Sequence, residues 1–487
     1  MAQIKRLINF VVPVTSCNFK CHYCYIGQEN KFEGTLGTLD YPPEHIQKAL
    51  SKERLGGVCH INMCGLGETL LAPYVVDLAK RMLENGHIVS IVTNGVVQKR
   101  IEELCQLPEA LRERLFFKIS FHYLELVRQG ILDRFFENIQ RIKEAGCSFT
   151  VELTVNDETV EMIPDIQAWC QKNLGALCHV IESRNNLDGF SRLTQLSTDK
   201  HQKAWKTFDS PLFDFQQQHW MVKRKEFCYA GDWVVSLNAG SGWMMPCFAG
   251  GNALQNIYED LDEPIHFKAI GTHCPWTHCY AAYVLLTSGT IPELDTPSYC
   301  DCRNRTCNDG SSWLQPSMQA WFSGKFQEAT SPYSEEKKLW LDILSAREYG
   351  IEKEINPQQL EQVGKALEDA MAKKGLHSVA ICAKPNDVTA DWLIPVFSKT
   401  TIKAVYVLDM DYAEDTAELS AKARWMHRFK YIAKKLLGQA TPWLNRYDVL
   451  PPVDAAIVLD VPQISSVKAQ IRDCHFKNIV PISELTD

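Results

Sequence analysis

The sequence predicts an α/β protein whose first 190 residues form a partial (β/α)6 barrel. Short β-branched or aromatic runs alternate six times with amphipathic helical stretches up to about residue 185, and turn residues such as Asn85-Gly86 and Gly146 separate them. This alternation indicates a parallel sheet with right-handed crossovers, whose reactive side is the edge formed by the carboxyl ends of the strands. An open doubly wound sheet is the structural alternative.

The individual elements follow from hydrophobic periodicity. The predicted strands are 8–14, 58–63, 88–93, 116–121, 149–155 and 178–182. The predicted helices between them are 43–53, 74–84, 97–105, 126–144 and 160–172.

Three further regions follow the predicted barrel. Residues 191–325 combine a polar connector with a small cysteine-rich domain, 326–374 form a helical linker, and 375–487 form a Rossmann-like α/β domain with strands at 378–382, 401–408, 454–459 and 478–481. Its first loop, 383–387, lacks the glycines that let a backbone approach a pyrophosphate, although Asp409 stands where a ribose-binding acid would lie. We therefore expect docking or a modified ligand pocket there ahead of dinucleotide binding.

Composition excludes several classes of protein. The 487 residues are 45% hydrophobic with a formal charge of -8, as in an ordinary soluble globular protein. Apolar runs fall short of the roughly 20 residues that cross a bilayer, and the N-terminus lacks the order of a signal peptide, so we expect a cytoplasmic protein without a membrane partner. The acidic balance weighs against a nucleic-acid partner. The basic run 422–435 is expected to be a solvated helix face, with binding of phosphate or an acidic partner as the alternative.

Cysteine is the most informative residue type. Eighteen thiols in a reducing compartment indicate metal ligation where they cluster, rather than a disulfide framework. One cluster is Cys17, Cys21 and Cys24, and a second is Cys228, Cys247, Cys274, Cys279, Cys300, Cys302 and Cys307. The other eight are scattered among apolar or helical residues and are expected to be buried, inert thiols.

The first cluster directly follows the first predicted strand, in the segment Cys17-Asn18-Phe19-Lys20-Cys21-His22-Tyr23-Cys24. A structural zinc site normally takes four protein ligands. Three cysteines on a four-iron cluster instead leave one iron open to a substrate or cofactor.

This CxxxCxxC spacing, with the aromatic Tyr23 before its last cysteine, resembles the radical S-adenosylmethionine (SAM) superfamily over about residues 5 to 185. After the second strand, Gly65, Gly67 and Glu68 are similar to the family's element that receives the methionine amino group, and Thr93-Asn94-Gly95 matches a frequent family signature. Family precedent places ribose and carboxylate contacts on the later strands. The polar candidates there are Ser120, His122, Glu152, Asn156 and Arg184, each with a satisfied, buried structural role as the alternative.

The resemblance implies an oxygen-sensitive enzyme with a [4Fe-4S] cluster on Cys17, Cys21 and Cys24. Its cofactor is S-adenosylmethionine, and a reducing partner such as flavodoxin or ferredoxin supplies an electron. Reductive cleavage of the sulfonium then gives methionine and a 5′-deoxyadenosyl radical. The cofactor supplies the difficult chemistry, while the protein orients it and excludes solvent.

The second cluster resembles the SPASM and twitch extensions of radical SAM enzymes. Cys228, thirteen residues, Gly242, four residues and Cys247 match the opening of such a domain, but the later spacing departs from the usual run. The resemblance implies one or two auxiliary iron–sulfur clusters, ligated by Cys228, Cys247 and two of the five later cysteines. A zinc-stabilised domain is the alternative, since four thiolates suit either metal.

Three functions compete. The first is radical modification of a small molecule, with a sugar or sugar-nucleotide of polysaccharide biosynthesis favoured by the Rossmann-like tail and by a barrel that begins by residue 8. The second is modification of a peptide or protein side chain. The third is a non-catalytic iron–sulfur sensor or scaffold, which predicts no reductive cleavage of SAM.

Overall fold

The computed structural model describes residues 3–348, 357–383, 402–407, 443–444, 453–458, 479–481 and 485. The chain divides into two compact units. The first comprises residues 1–253, 257–269 and 275–332, and the second comprises 254–256, 270–274 and 333–487. Asp409 and the basic run 422–435 lie outside the described residues, as does the loop from residue 384.

The first unit is built on a parallel sheet. Its strands are β1 (Arg6–Val12), β2 (Cys59–Gly65), β3 (Ile88–Thr93), β4 (Leu115–Ser120), β5 (Ser148–Thr154), β6 (His179–Ile181), the short β7 (Arg184–Asn185) and β8 (Ser191–Arg192), β9 (Val234–Asn238) and β10 (Trp243–Met245). Its helices are α1 (Tyr25–Gln28), α2 (Pro43–Ala49), α3 (Lys52–Leu55), α4 (Val75–Glu84), α5 (Gln98–Cys105), α6 (Glu109–Arg112), α7 (Tyr123–Gln129), α8 (Leu132–Glu144), α9 (Ile163–Leu174), α10 (Thr198–Trp205), α11 (Pro211–His219), α12 (Ala282–Leu285) and α13 (Pro316–Ser323).

The sheet has the strand order expected for six consecutive strand–helix units. The first unit contributes β10-β9-β1-β2-β3-β4-β5-β6, with β1 to β6 parallel and adjacent in chain order. The predicted parallel α/β architecture is therefore confirmed. Since β9 pairs in parallel with β1 on its other side, β6 does not close on β1 and the sheet remains open.

Two strands of the main sheet, β9 and β10, come from the region 191–325, for which the sequence predicts a connector and a cysteine-rich domain. The structure places Val234–Asn238 in the main sheet, with Leu7 opposite Val234. A five-residue strand in a Gly- and Cys-rich region is too short to give a periodic signal.

Local chemistry explains where several elements end. The predicted helix 126–144 is two helices, since Gly130 adopts a left-handed φ of 66° between α7 and α8. The predicted helix 43–53 also divides, because Ser51 caps α3 by accepting a hydrogen bond from the Arg54 backbone N–H. β1 ends at Val12 because Pro13 has no N–H to donate to a neighbouring strand.

The second unit carries a smaller parallel sheet. Its strands in the order β14-β13-β12-β15-β16 are Trp443–Leu444, Ile402–Val407, Val379–Ala383, Ala455–Val458 and Ile479–Pro481. The two helices α14 (Glu335–Glu348) and α15 (Pro357–Lys373) precede them, and the short strand β11 (Gln255–Asn256) also belongs to this unit. Asp454 accepts hydrogen bonds from the backbone of His377 and Ser378, each at 2.9 Å, which fixes the start of β12 against that of β15. No helix in the described ranges is long and apolar enough to span a membrane.

One buried histidine gives the first unit a pH-dependent stability. His87 is fully buried before β3, where its Nδ1 accepts a hydrogen bond from the Cys59 N–H at 3.1 Å and its Nε2 lies 2.7 Å from the Leu50 carbonyl. Burial is the main cause that lowers the pKa of His87 to about 4. Protonation would remove the acceptor that Cys59 uses.

We expect the folded state to lose stability as pH falls from 6.5 towards 4. In that pH range the unfolded chain binds a proton on this imidazole and the folded chain does not. The contribution of His87 to the free energy of unfolding is therefore complete above pH 6.5 and about 2 kcal/mol smaller at pH 5. His87→Gln should therefore melt at a lower temperature at pH 7 but show a smaller drop in Tm between pH 7 and pH 5. The exposed His377 provides a matched control as His377→Gln. An equal drop in wild type and His87→Gln would contradict this assignment.

Candidate radical SAM site

The loop after β1 brings the three N-terminal cysteines together at the carboxyl edge of the sheet. The Cys24 N–H donates to the Cys21 carbonyl at 3.1 Å, and the Cys24 carbonyl accepts from Gln28 at the end of α1. All three thiols are partly exposed. Burial is the main cause that raises the pKa of Cys17 to about 11 and that of Cys21 to about 12, and the charges of the neighbouring cysteines contribute to both. The three thiols are therefore close enough to influence one another's ionisation.

The donor set is compatible with the cluster that the sequence predicts. Cys17, Cys21 and Cys24 supply three thiols from one loop, and in a [4Fe-4S] cluster each thiolate binds a different iron. Within the residues that the structure describes, no three His, Cys, Asp or Glu side chains are grouped around one metal position.

The glycines after β2 allow the cysteine loop to pack against the sheet. A Cβ atom on Gly67 would lie 2.1 Å from the Ser16 carbonyl oxygen, and one on Gly65 would lie 2.4 Å from Cγ1 of Val14. The Glu68 N–H donates to the same Ser16 carbonyl at 2.9 Å. Gly65 and Gly67 thus have a structural role in loop docking, beside the cofactor contact that the sequence predicts.

Glu68 connects the ends of two strands. Its carboxylate is 3% exposed and accepts hydrogen bonds from the Thr93 hydroxyl at 2.6 Å, the Asn94 N–H at 2.7 Å and the Leu70 N–H at 3.0 Å. Burial raises the pKa of Glu68 while these donors oppose the rise. A carboxylate has about four acceptor positions, so one remains for an ammonium group.

Asn94 and Tyr23 hold the cysteine loop from two other sides. The Asn94 side-chain amide donates to Oδ1 of Asn18 at 2.7 Å. The buried Tyr23 places its hydroxyl 2.8 Å from Nδ1 of His122, and Phe19 meets the same imidazole edge-on at 5.8 Å. Burial lowers the pKa of His122 to about 4, so the ring is neutral at physiological pH.

The later strands carry the remaining predicted cofactor residues. Ser120 ends β4 opposite Glu152 of β5. Asn156 follows β5, 4% exposed, and its Oδ1 has no hydrogen-bond partner among the described residues. An orphaned acceptor at the reactive edge fits a ligand hydroxyl or amine, since a buried polar atom otherwise loses free energy. Arg184 donates from Nε to Asn186 at 2.7 Å.

Glu152 lies in an ion-pair group that the sequence analysis missed. Its Oε2 is 3.4 Å from Nζ of Lys118, and its Oε1 is 3.1 Å from Nε of the fully buried Arg303. Lys118 stands between the buried Phe117 and Ile119 in β4. A lone lysine in an apolar strand is the signal that could have identified it, because lysine is seldom buried without a partner.

The seven later cysteines do not all occupy one place. Cys228 and Cys279 pack against the apolar core that contains the fully buried Cys302, and the charges of Cys247 and Cys279 both act on Tyr280. Two others lie elsewhere. The Cys307 thiol donates to the Leu174 carbonyl at 3.4 Å, next to the amino end of β6, and the Cys300 N–H donates to Phe322 in α13. Cys274 belongs to the second unit.

Comparison with known proteins includes a family match. The family model described as the radical SAM superfamily matches residues 11–170, about a third of the chain. This part of the chain is therefore similar to the radical SAM superfamily. No curated protein sequence was found to match the chain.

Several solved structures are similar to part of the chain. SuiB of Streptococcus suis, bound to S-adenosylmethionine, matches at 15% identity with a TM-score of 0.39 over 53% of this chain and 64% of SuiB. The aligned region thus spans slightly less than two thirds of SuiB. The protein anSMEcpe with bound AdoMet and a peptide matches at 13% identity with a TM-score of 0.39, over 72% of this chain and all of that chain. Archaeal TYW1 matches at 18% identity with a TM-score of 0.25, over 35% of this chain and 63% of TYW1.

Proposed function

We propose that this protein is an enzyme that reductively cleaves S-adenosylmethionine and uses the 5′-deoxyadenosyl radical to remove a hydrogen atom from a small molecule. A sugar or sugar-nucleotide is the first candidate substrate. The observation that carries the proposal is the docking of the three-cysteine loop onto Gly67, where Ser16 accepts the Glu68 N–H at 2.9 Å.

Each part of the cofactor has a residue to hold it in this proposal. Cys17, Cys21 and Cys24 would bind three irons and leave the fourth for the amino and carboxylate groups of S-adenosylmethionine. Glu68 would accept the ammonium on its remaining acceptor position. Asn156 would use its orphaned Oδ1 for a hydroxyl of the ribose. Tyr23, Asn94, Gly65 and Gly67 would keep the loop in place, with Ser120 at the end of the neighbouring strand.

When bound, the cluster and cofactor supply the electron transfer and the radical. The chain's own contribution is orientation and exclusion of water and oxygen. We propose that a flavodoxin or ferredoxin provides the electron, and that the enzyme works in the cytoplasm, where thiols stay reduced.

An auxiliary iron–sulfur cluster is a second element of the proposal. Its ligands would be Cys228, Cys247, Cys279 and Cys302, which the packing around Tyr280 and Leu286 associates within the first unit. Zinc remains the competing metal. The visible absorption of anaerobically purified protein distinguishes an iron–sulfur cluster from zinc, because a zinc site is colourless. Iron and zinc analysis of the same sample gives the number of metal atoms per chain.

A peptide is the second candidate substrate. SuiB has been determined with its precursor peptide SuiA. In this chain the hairpin β7–β8 exposes Leu187 to 72%, and Met221 after α11 is 53% exposed. These segments approach each other, since Phe190 packs edge-on against Trp276 at 5.8 Å and Lys223 donates to the Trp276 carbonyl. An apolar rim of this kind suits a peptide side chain.

The test is formation of 5′-deoxyadenosine by the anaerobically reconstituted full chain with S-adenosylmethionine and dithionite. We expect slow cleavage without substrate and faster cleavage with one member of a sugar-nucleotide panel. A peptide encoded beside the gene is the parallel arm, and reactions without dithionite are the control. Stimulation by the peptide alone would replace the first candidate with the second. If no 5′-deoxyadenosine forms under any condition, the remaining function is that of a non-catalytic iron–sulfur sensor or scaffold.

A further inference from the structure

We propose that a cleft beside the cysteine loop recognises its substrate through an anionic group, a phosphate or a carboxylate, that pairs with the ammonium of Lys118. The inference rests on the proposed function, because it names the class of substrate for the same site. Its central residue, Lys118, has no part in the cofactor assignment.

The cleft lies on one face of the main sheet, at positions that keep partial exposure among buried neighbours. Lys118 in β4 pairs with Val92 in β3, and Cys64 lies one residue beyond the pair of Met63 and Ile91, so the alternation of side chains along each strand places Cys64, Val92 and Lys118 on the same face. These three residues are partly exposed, whereas the residues that precede them in their strands are fully buried: Met63, Ile91 and Phe117. Solvent therefore reaches this face near the carboxyl ends of the strands.

The cysteine loop lies at the same edge of the sheet. Gly65 and Gly67, which follow Cys64, lie so close to Val14 and Ser16 of the loop that neither position has room for a Cβ atom. The cleft therefore begins beside the cysteine loop, passes Cys64 and reaches Lys118. A substrate that extends from the reactive edge into the sheet would meet this lysine.

Lys118 is positioned to bind an anion. Its side chain retains 13% exposure, and its contacts in the described residues are the Glu152 carboxylate at 3.4 Å and the ring of Tyr283, whose centroid is 5.1 Å from Nζ. An ammonium has three N–H donors, so donors remain for a ligand. Burial lowers the pKa of Lys118 but the charges of Glu152 and Tyr283 outweigh it and the net pKa is raised, so the ammonium persists at neutral pH.

Within the described residues, the ion-pair group around Glu152 contains two cations and one carboxylate. Glu152 is shared by two cations, because Arg303 approaches its other oxygen to 3.1 Å with no exposure to solvent. One carboxylate between two cations leaves one positive charge in a poorly solvated place, which an anionic ligand would neutralise.

Arg184 adds a second cation beside the cysteine loop, since Tyr25 directly follows Cys24. Its guanidinium lies 4.1 Å from the ring centroid of Tyr25 and 4.3 Å from that of Tyr280. The cleft as a whole favours a ligand with an anionic end and a planar or apolar part that packs on tyrosine rings.

The test measures binding of inorganic phosphate and of malonate to the full chain by equilibrium dialysis at low ionic strength, with glucose as the neutral probe. We expect saturable binding of phosphate or malonate to wild type, and about tenfold weaker binding to Lys118→Met. Lys118→Arg should stay within about threefold of wild type because it keeps the charge. Lys143→Met is the control, at an exposed lysine of α8 that lies 3.9 Å from Asp309.

The relative affinity of the two probes decides between phosphate and carboxylate, and either result supports an anionic substrate. Equal anion binding by wild type and Lys118→Met, or no saturable binding, would overturn the inference. Binding of S-adenosylmethionine should be the same in both proteins. If Lys118→Met lost binding of S-adenosylmethionine together with binding of the anions, Lys118 would be assigned to the carboxylate of the cofactor. That result would also overturn the inference.

Two features keep the test interpretable. Arg303 still pairs with Glu152 in Lys118→Met, so the carboxylate is not left alone. If this variant does not fold, phosphate should slow the reaction of wild-type Lys118 with an amine-directed reagent but leave Lys143 unaffected, as read by peptide mass spectrometry. Equal labelling with and without phosphate would count against the site. Anion binding at Lys118 needs no iron–sulfur cluster. Absence of SAM cleavage would therefore contradict the proposed function without affecting the result of the binding test.

Discussion

Replacing Cys17, Cys21 and Cys24 together with alanine is expected to abolish reductive cleavage of S-adenosylmethionine. The loop would keep its contacts to Gly67 and Asn94 but would have no thiolate to bind iron. Iron content should fall by about four per chain, the content of one cluster. The measurements are 5′-deoxyadenosine formation, iron analysis and the electron paramagnetic resonance signal of the reduced cluster.

The matched control removes three cysteines that lie apart from the loop. Cys59, Cys105 and Cys170 are buried at separate positions, so their alanine variant should keep the N-terminal cluster and its cleavage activity. Each small cavity costs stability, and both triple variants are therefore compared at a temperature well below their Tm. Turnover by the Cys17, Cys21 and Cys24 variant at the wild-type rate is incompatible with the proposed chemistry.

Gly67→Ala is the second substitution with a large expected effect. The new Cβ atom would stand 2.1 Å from the Ser16 carbonyl oxygen, so the cysteine loop must move away from β2. A displacement on the order of 1 Å at a reacting centre costs about 100-fold in rate, and we expect a loss of this size in SAM cleavage. The cluster signal should persist with altered shape, since the thiols themselves are unchanged.

Gly27→Ala is the control for the added methyl group. Gly27 lies in α1, immediately after the cysteine loop, and a Cβ there would meet the Phe32 ring at an ordinary 3.4 Å. We expect cleavage within about threefold of wild type, because the methyl meets no backbone atom and favours the helix. If Gly27→Ala and Gly67→Ala lost activity equally, close packing against Ser16 would not be the reason that position 67 is glycine.

The sequence was sufficient to predict the parallel sheet and its reactive edge. β3 was predicted at its observed limits, and β2, β4 and β5 were within about two residues, because buried parallel strands are continuous apolar runs. The Cys17 to Cys24 spacing predicts three cluster ligands in one loop, and this assignment stays a prediction. The sequence also indicates that the glycines of the next loop allow close approach, and in the structure Gly65 approaches Val14 while Gly67 approaches the Ser16 carbonyl.

Other features depended on contacts between residues far apart in the chain. Lys118, Glu152 and Arg303 come from two strands and a distant loop, and nothing in their local sequence indicates that two cations share one carboxylate. The seven later cysteines illustrate the same limit. Spacing treated them as one group, whereas the structure places Cys307 beside Leu174 and Cys302 in a core with Cys228.

By itself, the sequence determined the α/β class, the order of the six parallel strands and the three-thiol loop with its glycine-containing neighbour. Periodicity and short-range spacing encode these features directly, because they concern residues adjacent in the chain. The tertiary structure alone decided that β9 joins β1, that Glu68 binds Thr93 and Asn94, and that Lys118 faces the cleft. Those outcomes depend on packing, burial and charge balance among distant segments, which arise only when the chain is folded.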